Sequence, residues 1–295
     1  MTRPRLSALK RSAVRWALDP SPLRTASVNG IKRWELGSYE FRVGLGAVDR
    51  PHYAYAVWHA ARLARRLGLP RISVIEFGVA GGNGLLSLER HAAASSAASG
   101  VAIDVYGFDS GQGLPPPVDF RDLPYHWKPG FFAMEEDRLR ARLTTSVLVI
   151  GDVRETLPNF ADTHHPAPIG AVFQDFDLYS STKAALEVFD LPSENRMPRI
   201  FTYFDDIIGN EFALYNDYTG ERLALREFNE SHATTKISPA YCLLNRVGQR
   251  WHHKMFVTHD FEHPRYNDFV SMEDQQLRMV PDGASAPAVP RPRVA

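Results

Sequence analysis

Short apolar segments alternate with longer segments of helical spacing through the middle of the chain. The apolar segments have the length and the Val, Ile and aromatic content of buried strands, and they lie at 71–77, 102–108, 146–150, 168–173 and 199–204. Helical spacing occurs at 53–67, 85–94, 134–143 and about 181–189. Strands and helices in alternation predict right-handed crossovers and a parallel sheet with helices on both faces.

The section after residue 230 breaks this alternation. Segments 241–246 (YCLLNR) and 251–259 (WHHKMFVTH), with a turn at 247–249, predict an antiparallel hairpin. We therefore predict an α/β fold: a doubly wound, mostly parallel seven-stranded sheet with an antiparallel C-terminal hairpin. The predicted layout is an N-terminal arm over 1–50, which can be helical and oligomerising, one domain over 51–270, and a disordered Pro/Ala-rich tail over 281–295.

Charge and composition narrow the classes of partner. The chain of 295 residues has 34 Lys plus Arg and 34 Asp plus Glu, so it has no net field to attract nucleic acid or an anionic membrane. No apolar run approaches the roughly 20 residues that span a bilayer. The basic segment 1–18 favours a loosely docked arm over a targeting segment. We expect a cytoplasmic protein that recognises a small molecule locally.

A glycine-rich turn follows the first predicted strand, and an acid precedes it. Glu76 stands before Gly78, and the turn continues through 80–84 (AGGNG). Glycines let the backbone approach a ligand closely. A carboxylate at this place suits a ligand with an ammonium group and would repel a pyrophosphate. The alternative is a structural turn with a solvated glutamate.

Acids also follow the next two predicted strands. Asp109 can accept hydrogen bonds from ribose hydroxyls, and Asp152 from an adenine amino group, although each alone is as readily a helix cap. Three acids at three successive strand ends favour a nucleoside without a phosphate tail. The predicted cofactor-binding residues are Glu76, Gly78, Ala80, Gly82, Asp109, Ser110 and Asp152.

Four more acids follow the fourth and fifth strands. They are Asp175, Asp177, Asp205 and Asp206, and neighbouring parallel strands should bring them together. Converging carboxylates repel unless a cation neutralises them or some are protonated. Mg²⁺ prefers such oxygen ligands and can lower the pKa of an acceptor hydroxyl. The alternatives are helix caps at Asp177 and Asp206, or a metal-free site with one of Asp175 and Asp177 as general base.

A segment rich in proline and aromatic residues, 113–132, is typical of a lid. Tyr125, Trp127, Phe131 and Phe132 either cover the cofactor or pack on the protein's own surface. His52 and Tyr53, just before the first long helix, are candidates for the acceptor pocket.

With these residues assembled, the chain resembles the class I S-adenosylmethionine (AdoMet) methyltransferases over about 75–230. More narrowly, it is similar to the macrocin O-methyltransferase family, whose members methylate sugar hydroxyls on macrolide antibiotics. The motifs are 108–115 (FDSGQGLP), 151–158 (GDVRETLP), 177–182 (DLYSST) and 205–206 (DD).

The resemblance implies roles for several of these residues. It places Glu76 and Gly78 in the methionine pocket, and makes Asp109 the ribose ligand. It also implies Mg²⁺ between a fourth-strand acid and the Asp205–Asp206 pair. The family usually has glycine where Phe176 stands, so the choice between Asp175 and Asp177 as metal ligand stays open. Family members tend to assemble through their N-terminal segments, which makes a homo-oligomer plausible.

Residues and resemblance together predict an AdoMet-dependent O-methyltransferase, assisted by Mg²⁺, that acts on a hydroxyl of a sugar or another small metabolite. The alternatives are an NAD-type oxidoreductase and a non-catalytic AdoMet-binding relative. The acid at Glu76 and the absence of a clean dinucleotide fingerprint disfavour the oxidoreductase.

Overall fold

The sheet has seven strands, as the sequence predicts. A computed structural model describes residues 22–246 and 249–271. Its strands are β1 Arg71–Phe77, β2 Ala102–Asp109, β3 Val147–Ile150, β4 Ile169–Gln174, β5 Arg196–Phe204, β6 Thr235–Pro239 and β7 Met255–Asp260. They lie in the order β3-β2-β1-β4-β5-β7-β6. Strands β1 to β5 are parallel, and β7 is antiparallel to both β5 and β6. The predicted fold class is confirmed.

The helices are α1 Pro22–Arg33, α2 Tyr39–Leu45, α3 Pro51–Arg66, α4 Asn83–Ser99, α5 Glu136–Arg140, α6 Val153–Thr156, α7 Phe160–His164, α8 Tyr179–Ala185, α9 Gly220–Ser231 and α10 Tyr241–Leu244. Helix α3 begins with Pro51, whose fixed φ suits the first helical position. Helix α4 lies between two left-handed glycines, Gly82 and Gly100. Helix α1 and helix α2 belong to the predicted N-terminal arm. The predictions for 1–18, for 281–295 and for the turn at 247–248 lie outside the described residues.

The core lies on both sides of this sheet. Tyr53 of α3 stacks on Phe173 of β4 with ring centroids 4.3 Å apart. Phe160 of α7 packs edge-on against Phe108 of β2, 5.1 Å away. Phe173 is the register partner of Glu76, and Phe108 is the register partner of Phe77. Because consecutive residues of β1 point to opposite faces of the sheet, the two aromatic contacts also lie on opposite faces. Glu76 therefore points to the face that α3 covers.

The hairpin begins earlier than predicted. Segment 241–246 was expected to be its first strand, but Tyr241–Leu244 forms α10, and the strand is β6 at Thr235–Pro239. A short apolar run such as YCLL fits a helix turn as well as a strand, and Leu243 is fully buried in the helical arrangement. The second strand starts at Met255, because residues 250–254 form a 3₁₀ turn.

The carboxyl ends of the central strands are aligned across the sheet. The chain runs outward from β1 to β3 and then returns to β4, so the strand order reverses between β1 and β4, which is where open α/β sheets bind their ligands. The Gly78 N–H donates to the Phe108 carbonyl, the Asp175 N–H to the Phe77 carbonyl and the Asp205 N–H to the Gln174 carbonyl, each at 2.9 Å. These bonds place the loops after β1, β4 and β5 side by side.

Among the described residues, no helix combines the length and the apolar character needed to cross a membrane.

Candidate functional site

A cavity of about 450 Å³ opens at the carboxyl ends of β1 to β5. It brings together all but one of the residues predicted to bind the cofactor or the metal. Those in its wall are Glu76, Gly78, Ala80, Asp109, Ser110, Asp152, Asp175, Asp177, Asp205 and Asp206. The convergence of acids at this edge of the sheet, expected from strand order alone, is present in the structure.

Glu76 lies at the inner end of the cavity and is only 1% exposed. The Tyr53 hydroxyl donates a hydrogen bond to its Oε1 atom, while its Oε2 atom has no protein partner. Burial raises the pKa of Glu76 to about 8, although the Tyr53 hydrogen bond and the Arg50 charge act in the opposite direction. The interpretation of Glu76 as a solvated residue of a structural turn is wrong. A buried carboxylate with one free oxygen favours a cationic ligand group.

Two glycines make room around this carboxylate. A Cβ at Gly84 would lie 1.9 Å from Glu76 Oε1, so no larger residue fits there without moving the carboxylate. Gly78 has a φ of +88°, and a Cβ there would lie 1.9 Å from the Asp175 carbonyl oxygen. The glycines therefore allow close approach of backbone and side chains, as the sequence indicates.

Asp109 holds the glycine-rich turn. Its Oδ2 accepts from the Val79 and Ala80 amides at 2.9 and 2.8 Å, and its Oδ1 accepts from the Gly111 amide at 2.7 Å. These bonds fix Ala80 in a left-handed conformation with φ of 46°. Each carboxylate oxygen has further acceptor capacity, so a ribose contact remains compatible with this arrangement.

Gly82, Ser110 and Asp152 have local structural partners. Gly82 is outside the cavity wall. It lies against the Leu139 side chain, which a Cβ at this position would meet at 2.1 Å. Ser110 donates to the Gly113 carbonyl at 3.1 Å. Asp152 caps α6 by accepting from the Arg154 amide at 2.9 Å, and it also pairs with the Arg154 guanidinium. The capping alternative holds for Asp152, which nevertheless lies in the cavity wall.

The acids after β4 and β5 form a compact cluster. Asp175, Asp205 and Asp206 each offer a carboxylate oxygen, and these oxygens lie within 4.8 Å of one another. All three side chains are half-buried. Burial, followed by the charges of Asp205 and Asp206, raises the pKa of Asp175 well above its ordinary value. The expected mutual repulsion is therefore present.

Asp177 is a fourth acid beside this cluster, and it does not cap a helix. Burial, together with the charges of Asp206 and Asp175, raises the pKa of Asp177 to about 10. The N-terminus of α8 is capped by Asp122, whose Oδ1 accepts from the Ser180 amide at 2.7 Å, so the capping alternative for Asp177 is wrong. The capping alternative also fails for Asp206, whose Oδ1 accepts from the Tyr215 hydroxyl at 3.0 Å. Asp177 has a φ of 61°, the left-handed region, directly after Phe176.

Two buried groups that the sequence did not single out hold Asp205 and Asp206. Lys254 Nζ lies 3.0 Å from Asp205 Oδ1, and although burial opposes ionisation, the ammonium holds the pKa of Asp205 below its ordinary value. Glu221, at the start of α9, is 0% exposed, and its Oε2 accepts from the Asp206 amide at 2.8 Å. Glu221 is far in sequence from every strand, and Lys254 directly precedes β7 at the edge where β5 ends, so only the pairing of β7 with β5 brings Lys254 to Asp205.

The aromatic segment contributes part of the cavity wall. Trp127, Phe131 and Phe132 line it, together with Leu114 of the same segment. Tyr125 points elsewhere and donates to the Ala213 carbonyl at 2.8 Å. The predicted acceptor-pocket pair, His52 and Tyr53, does not line the cavity; His52 stacks on Tyr203 with centroids 4.5 Å apart. The role of Tyr53 is to hold Glu76.

The acid cluster fits a hard divalent cation. Asp206 Oδ2 is buried without a protein partner, and burial, followed by the charges of neighbouring carboxylates, raises the pKa of both Asp175 and Asp206. Carboxylate oxygens at this spacing are the ligands that Mg²⁺ takes. Asp175, Asp205 and Asp206 are the residues that would hold it, and Asp177 would support Asp206.

Comparisons with known proteins return distant structural similarity. No family model matches the chain, and no curated protein matches it. The solved structure of the calicheamicin methyltransferase CalS11 is 22% identical, with a TM-score of 0.45, and the match covers 82% of this chain and 93% of that one. The O-methyltransferase TomG from Streptomyces achromogenes, in complex with SAM, is 14% identical with a TM-score of 0.39, over 83% and 93% of the two chains.

An O-methyltransferase from Bacillus cereus, in complex with SAH, is also 14% identical, with a TM-score of 0.37 over 84% and 94%. Similarities at this level assign neither an activity nor a substrate to this chain.

Proposed function

We propose that the protein is an AdoMet-dependent O-methyltransferase that transfers a methyl group to a hydroxyl of a small molecule, with Mg²⁺ bound at the acid cluster. The observation that carries the proposal is the pairing of two acidic sites in one cavity. Glu76 offers a buried, unpartnered carboxylate oxygen at one place, and Asp175, Asp205 and Asp206 gather beside it. AdoMet carries an ammonium and a sulfonium, so it suits such a wall far better than a pyrophosphate does.

The glycine-rich turn and the acids that follow β1 to β3 are assigned to the nucleoside and the methionine end. Glu76 binds the ammonium, Asp109 accepts from the ribose hydroxyls, and Asp152 lies where an adenine amino group can reach it. Trp127, Phe131 and Phe132 cover the cofactor and exclude water. The turn and the acids that follow β1 to β3 begin at one edge of the sheet, which favours a fixed direction for the reacting methyl group.

The transfer is a displacement at carbon. A lone pair of the acceptor oxygen forms the new O–CH₃ bond while the S–CH₃ bond breaks and its electron pair returns to sulfur. The products are a methyl ether and S-adenosylhomocysteine (SAH). The hydroxyl proton leaves to a carboxylate, and we assign this role to Asp175, which lies in the cavity wall and offers one oxygen to the metal site, so that its second oxygen can take the proton. Mg²⁺, when bound, supplies Lewis acidity that lowers the pKa of the acceptor hydroxyl.

The acceptor is proposed to be a hydroxylated metabolite such as a sugar. The support is the resemblance to the macrocin O-methyltransferase motifs at 108–115, 151–158 and 205–206. The metal at the acid cluster would accept a hydroxyl oxygen directly, which is chemistry that an amine or a carbon acceptor does not need.

Titration calorimetry with SAH tests the cofactor assignment. We expect heat of binding with the wild-type protein and none with NADH. NADH binding without a response to SAH would overturn the proposal.

A metabolite extract, incubated with the protein and with AdoMet that carries a trideuteriomethyl group, tests the transfer. We expect labelled methyl ethers in the mass spectrum, lost with EDTA and restored by Mg²⁺. A transfer that is indifferent to EDTA would remove the metal from the proposal and leave the methyltransferase.

A further inference from the structure

Arg50 is one of two arginines in a cavity wall that contains seven acidic residues. Its side chain lies in the wall with Glu76 and Asp175, and its guanidinium carbon is 5.5 Å from the centre of the Tyr53 ring. Tyr53 in turn holds Glu76. Burial raises the pKa of both Glu76 and Asp175, and the charge of Arg50 acts against this rise in both, so its guanidinium lies close to the two carboxyl groups.

The other arginine in the wall already has a carboxylate partner. Arg154 pairs with Asp152 at the opposite end of the cavity. Within the part of the chain that the structure describes, the Arg50 side chain makes no ion pair, and its guanidinium lies over the face of the Tyr53 ring. A guanidinium has five donors, and those of Arg50 remain available to a planar anion.

Helix stability does not explain an arginine at this position. Arg50 is the residue before Pro51 at the start of α3, and it makes no side-chain cap. Ser, Asp or Asn would cap the helix, and a cation at a helix N-terminus meets the positive end of the helix dipole. Its backbone is also left-handed, with a φ of 37°. Arg50 thus departs from three local preferences, since it does not cap the helix, its charge opposes the helix dipole and its backbone is left-handed. Such departures at a cavity wall are expected where a residue contacts a ligand.

We propose that Arg50 binds the carboxylate of an α-amino acid whose ammonium is bound by Glu76. The pair is a clamp for a zwitterion, and Tyr53 is the residue that contacts both members. In the proposed function, this zwitterion is the methionine end of AdoMet, so the inference rests on that function and adds a residue to its cofactor site. The clamp also selects against nucleosides that lack the amino-acid portion.

The charges of the ligand and of the wall match under this assignment. AdoMet has two positive groups and one negative group. The inner wall offers carboxylates for the positive groups and Arg50 for the negative one. A wall of carboxylates alone would repel the methionine carboxylate, and that repulsion would be severe where Glu76 is shielded from water.

The test removes the two charged partners separately, one from the protein and one from the ligand. The ligands are SAH and its decarboxylated analogue, S-adenosyl-3-thiopropylamine, measured by titration calorimetry. The wild-type protein should bind SAH about 10- to 100-fold more tightly than the analogue, as expected for a charge-assisted contact. Arg50→Gln should weaken SAH by a similar factor and leave the affinity for the analogue unchanged or improved. Arg50→Lys should recover part of the loss.

Arg154→Gln is the matched control. It removes the other arginine of the wall, which already pairs with Asp152, so it should change the affinities for SAH and for the analogue by the same factor. The clamp is overturned if Arg50→Gln binds SAH as the wild type does, or if it weakens both ligands equally. A wild-type protein that binds neither ligand would instead refute the proposed function. Thermal melts of each variant separate lost binding from lost folding.

Discussion

At the scale of single residues, burial of the Glu76 carboxyl lowers the stability of the fold, and the same carboxyl is proposed to bind the ammonium group of the ligand. Its carboxyl is buried, and its pKa is raised to about 8 from an ordinary value near 4.5. Between these two pH values the folded protein holds a proton that the unfolded chain has lost. The free energy of unfolding therefore falls as the pH rises through this window, because ionisation of the buried group is resisted.

Glu76→Gln should remove this dependence. The amide keeps the shape of the side chain and can still accept from Tyr53, but it has no charge to bury. We expect the variant to gain stability relative to wild type as the pH rises from 5 to 8, by urea unfolding at several pH values, and to lose SAH binding. A stability difference that is the same at pH 5 and pH 8 would contradict the assignment.

The same pKa predicts that SAH binding releases a proton. Near pH 7 the free carboxyl of Glu76 is mostly protonated, whereas an ammonium ligand requires the carboxylate. Affinity for SAH should therefore rise between about pH 6 and pH 7.5. Calorimetry in buffers of different ionisation enthalpy measures the proton, and Glu76→Gln is the control that should release none. An affinity that falls with pH in this range would exclude this linkage.

Gly84 is predicted to be essential for the position of Glu76. In Gly84→Ala the new Cβ would lie 1.9 Å from Glu76 Oε1 and 2.8 Å from the Tyr53 hydroxyl, so the carboxylate must move. We expect SAH affinity to fall by at least about tenfold, the size of a lost charge-assisted contact. The control is Gly44→Ala in α2, where a Cβ meets nothing within 4 Å, and it should be neutral or stabilising by up to about 1 kcal/mol. Equal SAH affinity in both variants would show that the carboxylate adapts.

At the scale of elements, the antiparallel edge of the sheet depends on a buried ion pair. Arg196, which begins β5, lies 3.0 Å from Asp260, which ends β7, and their side chains are 11% and 9% exposed. The pair joins the last parallel strand to the hairpin at the end opposite the cavity. Loss of one partner would leave an uncompensated charge in a region that water barely reaches.

Asp260→Ala should therefore destabilise the protein by about 3 kcal/mol or more in urea unfolding, without changing SAH affinity. The control is Glu135→Ala, which breaks an ion pair whose side chains are 78% and 74% exposed. Such surface pairs contribute less than about 1 kcal/mol. If both variants unfold at the same urea concentration, the pair does not anchor the hairpin.

At the scale of the whole molecule, the acid cluster makes stability depend on divalent cations. Asp175, Asp205 and Asp206 come from loops after two different strands, and their repulsion opposes the fold that brings them together. A cation that binds them only in the folded state adds stability by mass action, about 2.7 kcal/mol at 100 times its Kd.

Thermal melts with increasing Mg²⁺ should therefore show a rising Tm for the wild-type protein. Asp206→Asn should respond weakly, because it removes one ligand charge. Asp162→Asn, which changes an exposed acid of α7 away from the cavity wall, should respond as the wild type does. An equal Tm shift in all three proteins would place the Mg²⁺ effect outside the cluster.

The amino-acid sequence by itself determined the order of strands and helices, the parallel core of the sheet and the edge at which acids would meet. These features follow from local information: hydrophobic periodicity defines the buried strands, and the chirality of crossovers brings their carboxyl ends to one side. Glu76, Asp109, Asp175 and Asp205 each lie at the carboxyl end of a strand or directly after it, so their convergence could be predicted without coordinates.

Only the tertiary structure decided which neighbours these acids have. Lys254, Glu221 and Arg50 reach the cavity region from a 3₁₀ turn, the start of α9 and the start of α3, and nothing in their own segments indicates it. The same holds for the hairpin, where YCLL forms a helix in which Leu243 is fully buried. Burial and charge at a site depend on contacts between distant segments, and these contacts exist only after the chain has packed.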